Sequence, residues 1–80
     1  MPRYYFHIHD GKFLPDVEGT ELPDDGAARE AALVLSGDIL REGGGASLWN
    51  GADWNLWVTQ QPDHTAPKLF TLRFSAEAAA

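Results

Sequence analysis

The chain has 80 residues, the length of one small domain, and 44% of them are hydrophobic, which is enough to form a core. The net charge of −6 comes from 12 acidic and 6 basic residues, and the basic ones are scattered along the chain. Because nucleic-acid binding depends on clustered basic side chains, a nucleic-acid partner is not expected. The chain has no cysteine, which excludes disulfide bonds and thiolate metal sites.

Neither a secretory signal nor a membrane segment is predicted from the sequence. No basic N-terminal segment precedes an apolar run. No apolar run approaches the roughly 20 residues that a transmembrane helix needs. Together with the absence of cysteine, these features favour a cytoplasmic protein.

The first predicted element is a β-strand over residues 3–9, the strongest strand signal in the chain. Side chains alternate between the two faces of a strand. The apolar face consists of Tyr4, Phe6 and Ile8. The mixed aromatic and polar face consists of Tyr5, His7 and His9. We expect the apolar face to be buried in the core.

A hairpin is predicted after the first strand. Asp10-Gly11 is a turn pair, since both residues tolerate the positive φ of a tight hairpin turn. Residues 12–14 begin a return strand, and Pro15 should place it at an edge of the sheet because proline cannot donate to a strand ladder. The acidic segment 16–22 is expected to continue this edge irregularly.

A helix is predicted over residues 25–42, with Asp24 as its N-cap. Its main apolar stripe has three- and four-residue spacing and consists of Ala28, Ala32, Leu35 and Ile39. A second, narrower apolar line on the flank of the helix consists of Leu33 and Leu40. The glycines at 43–45 should end the helix, because glycine adopts the left-handed conformation that closes a helix C-terminus.

Two further strands complete the predicted fold, one over about 53–60 and one over about 68–74. The side chains expected to face the core are Trp54, Leu56, Val58, Phe70, Leu72 and Phe74. Residues 76–80 are predicted to form a flexible C-terminal tail, so that a single domain spans residues 1–75.

The predicted fold class is α+β, a two-layer sandwich with the element order β-β-α-β-β. A mainly antiparallel four-stranded sheet packs on one helix. If the first and third strands are the central ones, the helical crossover skips one strand and all neighbouring strands run antiparallel. We expect this strand order.

Two surfaces are candidates for protein contacts. The sheet face away from the helix is unusually aromatic for a solvated surface, and exposed apolar patches and tyrosine or tryptophan anchors often mark interaction sites. This candidate interaction face consists of Tyr5, His7, His9, Trp57, Leu69 and Arg73. The second candidate is the helix flank at Leu33 and Leu40. The alternative is ordinary amphipathic packing with partial cover by the loops.

His7 and His9 are also candidates for metal ligands. They lie about 6.6 Å apart along one strand face, and two imidazoles could share a metal with a carboxylate from Asp10 or Glu18. The interpretation that we favour is that both are solvent-facing strand residues. No convergent catalytic set is visible in the sequence, so neither enzyme activity nor a cofactor is expected.

The opening residues 1–11 (MPRYYFHIHDG), the segment 18–22 (EGTEL) and the closing segment 69–74 (LFTLRF) carry a family resemblance. They resemble a family of short proteobacterial proteins of unknown function that is common in rhizobia and their relatives. The resemblance spans about residues 1–75 and implies no catalytic residues. A more distant similarity, in the pattern of elements only, is to HicB-like antitoxins.

The leading hypothesis from the sequence is a small bacterial interaction or regulatory module without enzyme activity, with self-association or a protein partner expected. One alternative is a metal- or small-ligand-binding protein that uses the strand face of His7 and His9. Another is an antitoxin-like partner of a basic protein, which the acidic net charge would suit.

Overall fold

The computed structural model of the chain describes residues 1–79. Within that range the chain forms five β-strands and two α-helices. The strands are β1 (Arg3–His9), β2 (Phe13–Leu14), β3 (Thr20–Glu21), β4 (Trp54–Thr59) and β5 (Phe70–Phe74). The helices are α1 (Asp25–Ile39) and α2 (Ala46–Trp49).

The strands form one antiparallel sheet in the order β2-β1-β4-β5, with β3 also paired to β1. The two central strands are β1 and β4, and α1 packs on one face of the sheet. The predicted α+β sandwich, its central strands and its antiparallel pairing are confirmed. The predicted count of four strands is wrong, because the edge next to β1 is formed by two short strands instead of one.

The split edge has a local cause. After Pro15 the chain no longer pairs with β1. There the Asp16 carboxylate, instead of a strand carbonyl group, accepts a hydrogen bond from the Phe6 backbone N–H (3.1 Å). The same carboxylate accepts from the backbone N–H of Glu18 and of Gly19 (3.1 and 3.0 Å), which closes a tight turn. Gly19 has a φ of +73°, which returns the chain to the edge as β3.

Helix α1 begins at Asp25 as the sequence predicts, but it ends at Ile39, three residues before the predicted end at 42. Asp24 is extended, and its Oδ1 accepts a hydrogen bond from the Ala27 N–H at 2.8 Å, as an N-cap does. After Ile39 the helix widens into one π-type turn over Leu40–Gly44. Gly43, at φ +113°, is the left-handed residue that closes it.

The core lies between α1 and the sheet. Its buried members are Tyr4, Phe6, Ile8, Ala28, Ala32, Trp54, Leu56 and Val58. The helix contributes mainly alanines, so large strand side chains fill the space between the layers. The Tyr4 hydroxyl donates to the Asp25 carboxylate at 2.8 Å, which ties β1 to the first turn of α1. Burial, and secondarily Asp25, raises the pKa of Tyr4.

The segment between α1 and β4 contains the short helix α2, which the sequence did not predict. Leu48 from this helix packs against the core, while Trp49 stays exposed. Residues 75–79, which include most of the predicted tail, have no helix or strand, and Ala80 lies outside the described residues. None of the helices within residues 1–79 is long and apolar enough to cross a membrane.

Candidate functional site

The sheet face away from α1 is organised in rows by the strand register. One row crosses the sheet as His7, Trp57 and Thr71, and the next as His9, Asn55 and Arg73. In the first row His7 and Trp57 are covered, whereas the second row is open to solvent. The predicted interaction face therefore divides into a buried part and an exposed part.

The covered part is a second small core. Its buried members are Tyr5, His7, Trp57, Thr59 and Ala66. Phe13 stacks parallel to Trp57, with 5.8 Å between the ring centroids. The ring centroids of His64 and Phe13 are 4.3 Å apart. The Trp57 indole N–H donates to the His64 carbonyl oxygen at 3.0 Å. The loop between β4 and β5 thus folds over this half of the face.

The prediction that His7 faces solvent is therefore wrong. Tyr5 and Trp57, two members of the candidate interaction face, are covered as well. All three side chains are at least nine-tenths buried. The physical reason is that Phe13 of β2 and His64 of the loop after β4 lie together over the rings of Trp57 and His7. Leu69 is partly exposed but lies outside the open region described below.

His7 is held by hydrogen bonds on both ring nitrogens. The Asp16 backbone N–H donates to Nδ1 at 3.1 Å, so the neutral ring carries its proton on Nε2. Nε2 then donates to the Thr59 hydroxyl at 2.9 Å, and that hydroxyl donates to the Gln61 carbonyl oxygen at 2.6 Å. Burial lowers the pKa of His7, and the nearby Asp16 carboxylate opposes this shift without reversing it. This chain of bonds connects β1, the turn after β2, β4 and the loop that follows β4.

The metal hypothesis for His7 and His9 has no geometric support. A metal at His7 would have to displace one of its two hydrogen-bond partners. His9 is exposed at the end of the strand. Within residues 1–79, no three His, Cys, Asp or Glu side chains come together as a ligand set.

The exposed part of the face is a groove of about 520 Å³ above the ends of β1, β4 and β5. Its polar and charged lining residues are His9, Asp53, Asn55, Lys68, Thr71, Arg73 and Ser75. The structure thus brings three members of the predicted interaction face to this groove: His9, Arg73 and the buried Trp57. Sequence reasoning did not select Asn55 or Lys68. The alternation of β4, which places Asn55 on the same face as Trp57, was the available signal for Asn55.

A second, smaller groove of about 230 Å³ lies beside the outer edge of β5. It is lined by Arg29 and Leu33 from α1 and by Phe70, Thr71 and Leu72 from β5. Leu33 is 53% exposed, as expected for a flank residue. Leu40, its predicted companion, instead packs partly buried against the core. Since β5 is the last strand of the sheet, its outer edge has no partner among the described residues.

The fold and these two surfaces define a small α+β domain with an unpaired sheet edge at β5 and a polar groove. The chain belongs to the family described as Domain of unknown function (DUF6894), whose model matches residues 3–75. This membership confirms the resemblance to a family of proteins of unknown function. No curated protein and no solved structure matches the chain.

Proposed function

We propose that the protein is a non-enzymatic interaction module that self-associates through the free edge of β5. The observation that carries this proposal is the combination of an unpaired strand edge with an apolar groove next to it. An edge strand presents a row of unpaired backbone N–H and C=O groups, which is a template for pairing with another strand. The adjoining groove, walled by Leu33, offers apolar surface that water alone covers in the monomer.

The sequence of β5 suits pairing with a second copy of itself. In an antiparallel pair centred on Leu72, Phe70 of one copy lies opposite Phe74 of the other, and Thr71 lies opposite Arg73. The three apolar side chains are spaced by two, so all of them fall on the helix side of the joined sheet. No like charges lie directly opposite each other in this register, which would otherwise destabilise the pair. The edge is therefore self-complementary about a two-fold axis.

The proposed interface is small. It consists of two five-residue strands and Leu33 of each copy. The surface area that it buries stays below the roughly 1,200 Å² of a standard stable interface. The edge hydrogen bonds replace bonds to water, so each contributes modestly, and the apolar side chains supply most of the affinity. We therefore expect a weak dimer whose population depends on protein concentration.

Sedimentation velocity over a wide range of protein concentrations tests this proposal. Leu33→Lys removes one apolar wall of the groove in both copies of the dimer. A loss of about 1 kcal/mol in each copy raises the dissociation constant roughly thirtyfold.

Val34→Lys is the matched control. Val34 is 62% exposed on the same helix and does not line the groove, so this variant should associate like the parent protein. A parent protein that stays monomeric at all concentrations would contradict the proposal. Equal weakening by both substitutions would show that added positive charge, not the groove, controls association.

The similarity to HicB-like antitoxins and the cytoplasmic location remain predictions from the sequence, and neither is needed for this proposal. A basic protein partner would meet the acidic segment 16–22 together with Asp24 and Asp25, which lie around β3 and the start of α1, away from β5.

A further inference from the structure

The polar groove carries a local charge opposite to that of the whole protein. The chain has a net charge of −6, yet the groove contains two of its six basic residues, Lys68 and Arg73. Neither of these forms an ion pair within residues 1–79, whereas Arg3 and Arg41 do. Asp53 is the one carboxylate that lines the groove in the described part of the chain. The groove is thus a basic site with unneutralised cations in an acidic protein.

The donors in this groove are positioned by the sheet. The register places His9, Asn55 and Arg73 side by side on three neighbouring strands, so their Cα atoms span roughly 10 Å. An imidazole, a carboxamide and a guanidinium fork therefore stand in one row, with the Thr71 hydroxyl in the next row on β5. Side chains mounted on paired strands hold a binding geometry better than side chains on loops.

Lys68 is also held close to the sheet. Its ammonium lies 5.1 Å from the centroid of the Trp57 ring, within the range of a cation–π contact. Phe13 also stacks on Trp57, so the tryptophan ring already contacts both Phe13 and Lys68. A ligand in this groove would therefore be bound by charge and hydrogen bonds rather than by stacking on an aromatic face.

We propose that this groove binds a small organic anion through its phosphate or carboxylate groups. The guanidinium of Arg73 can form two parallel hydrogen bonds with either oxyanion, and Lys68 adds a second permanent positive charge. Asn55 and Thr71 supply neutral donors beside them. The volume of about 520 Å³ lies within the range of small-molecule sites, roughly 300–1,000 Å³. The proposed site needs only one copy of the chain, although Thr71 and Arg73 also lie on the strand proposed to pair.

Titration of ¹⁵N-labelled protein with inorganic phosphate and, separately, with succinate tests the proposal. The ionic strength is held constant with sodium chloride, and the Leu33→Lys background keeps self-association from contributing. We expect saturable shifts of the Arg73 Nε–H and Asn55 carboxamide signals with at least one of the two anions. The anion that saturates the shifts at lower concentration identifies the phosphate or the carboxylate as the preferred group.

Substitutions then separate a local site from general electrostatics. Lys68→Gln and Arg73→Gln should each weaken binding by about tenfold or more, because each removes a charge-assisted contact. Lys12→Gln removes the same charge from the exposed β1–β2 turn and should change affinity by less than about twofold, since exposed charges are screened. The proposal is overturned if the shifts grow linearly without saturation for both anions, or if Lys12→Gln weakens binding as much as Lys68→Gln.

Discussion

Acidification should destabilise this protein through protonation of His7. His7 is fully buried, and its Nδ1 accepts the Asp16 N–H at 3.1 Å. A protonated ring would place an N–H group against that donor, so the charged form cannot keep the hydrogen bonds of the neutral form. The charged and titratable groups around the ring are Asp16, Asp63 and His64. Burial outweighs them and lowers the pKa of His7 below its ordinary value of 6.5.

The sign and size of the effect follow from proton linkage. Below pH 6.5 the unfolded chain binds a proton at His7 that the folded protein does not, so the free energy of unfolding falls as the pH falls. The slope cannot exceed about 1.4 kcal/mol per pH unit for one histidine. Between pH 7.5 and 5.5 the loss is therefore at most about 1.4 kcal/mol. Asp63, whose pKa is lowered by hydrogen bonds from Thr65, contributes stability that is lost only below about pH 3.8.

Urea denaturation at pH 7.5, 6.5 and 5.5 measures this loss directly. His7→Gln should remove the pH-dependent part of the stability, whatever it does to the stability itself. His9→Gln, which removes an exposed imidazole from the same strand, is the matched control and should give a curve parallel to that of the parent protein. If His7→Gln does not fold, the comparison of the parent with His9→Gln still tests the reasoning. A parent stability that is flat between pH 7.5 and 5.5 would refute it.

Three further predictions concern glycines that are replaced by alanine. Gly19→Ala should destabilise the protein by about 3 kcal/mol, because the residue has φ +73° and its Cβ would lie 2.7 Å from the Tyr5 ring and 2.8 Å from the Arg3 side chain. Gly11→Ala, at φ +96° with open space around it, should lower the free energy of unfolding by only about 1 kcal/mol, because it adds backbone strain without a clash. Chemical denaturation of both variants therefore separates the cost of strain from the cost of the clash. Equal losses would show that packing against Tyr5 is unimportant. Gly37→Ala should instead stabilise the protein by about 0.5–1 kcal/mol, since this helical position is also open, and a lower melting temperature would contradict that expectation.

The candidate groove was only partly predictable from the sequence. Strict alternation placed His9 and Arg73 on the outer face of the sheet, and the structure brings both to one groove. Their alignment with Asn55 depends on the register between three strands, which no local pattern specifies. Lys68 precedes β5, and its ammonium reaches the groove because it lies over the Trp57 ring.

Features with a local physical cause could be predicted from the sequence alone. The inward faces of β1, β4 and β5 follow from the two-residue period of apolar side chains. The start of α1 follows from the capping chemistry of Asp24, and the close of the turn that follows α1 from the freedom of Gly43 to adopt positive φ. Each of these depends on residues that are close along the chain.

What only the tertiary structure decided is which parts of the outer face meet water. His7 and His9 are equivalent in the sequence pattern, yet one is fully buried and the other exposed. The difference arises because His7 is hydrogen-bonded to Asp16 in the turn after β2 and to Thr59 at the end of β4, which are 9 and 52 positions away along the chain. In addition, His64 of the next loop lies against the His7 ring. Such contacts form only once the sheet has brought distant segments together, so alternation predicts the face of a side chain but not its cover.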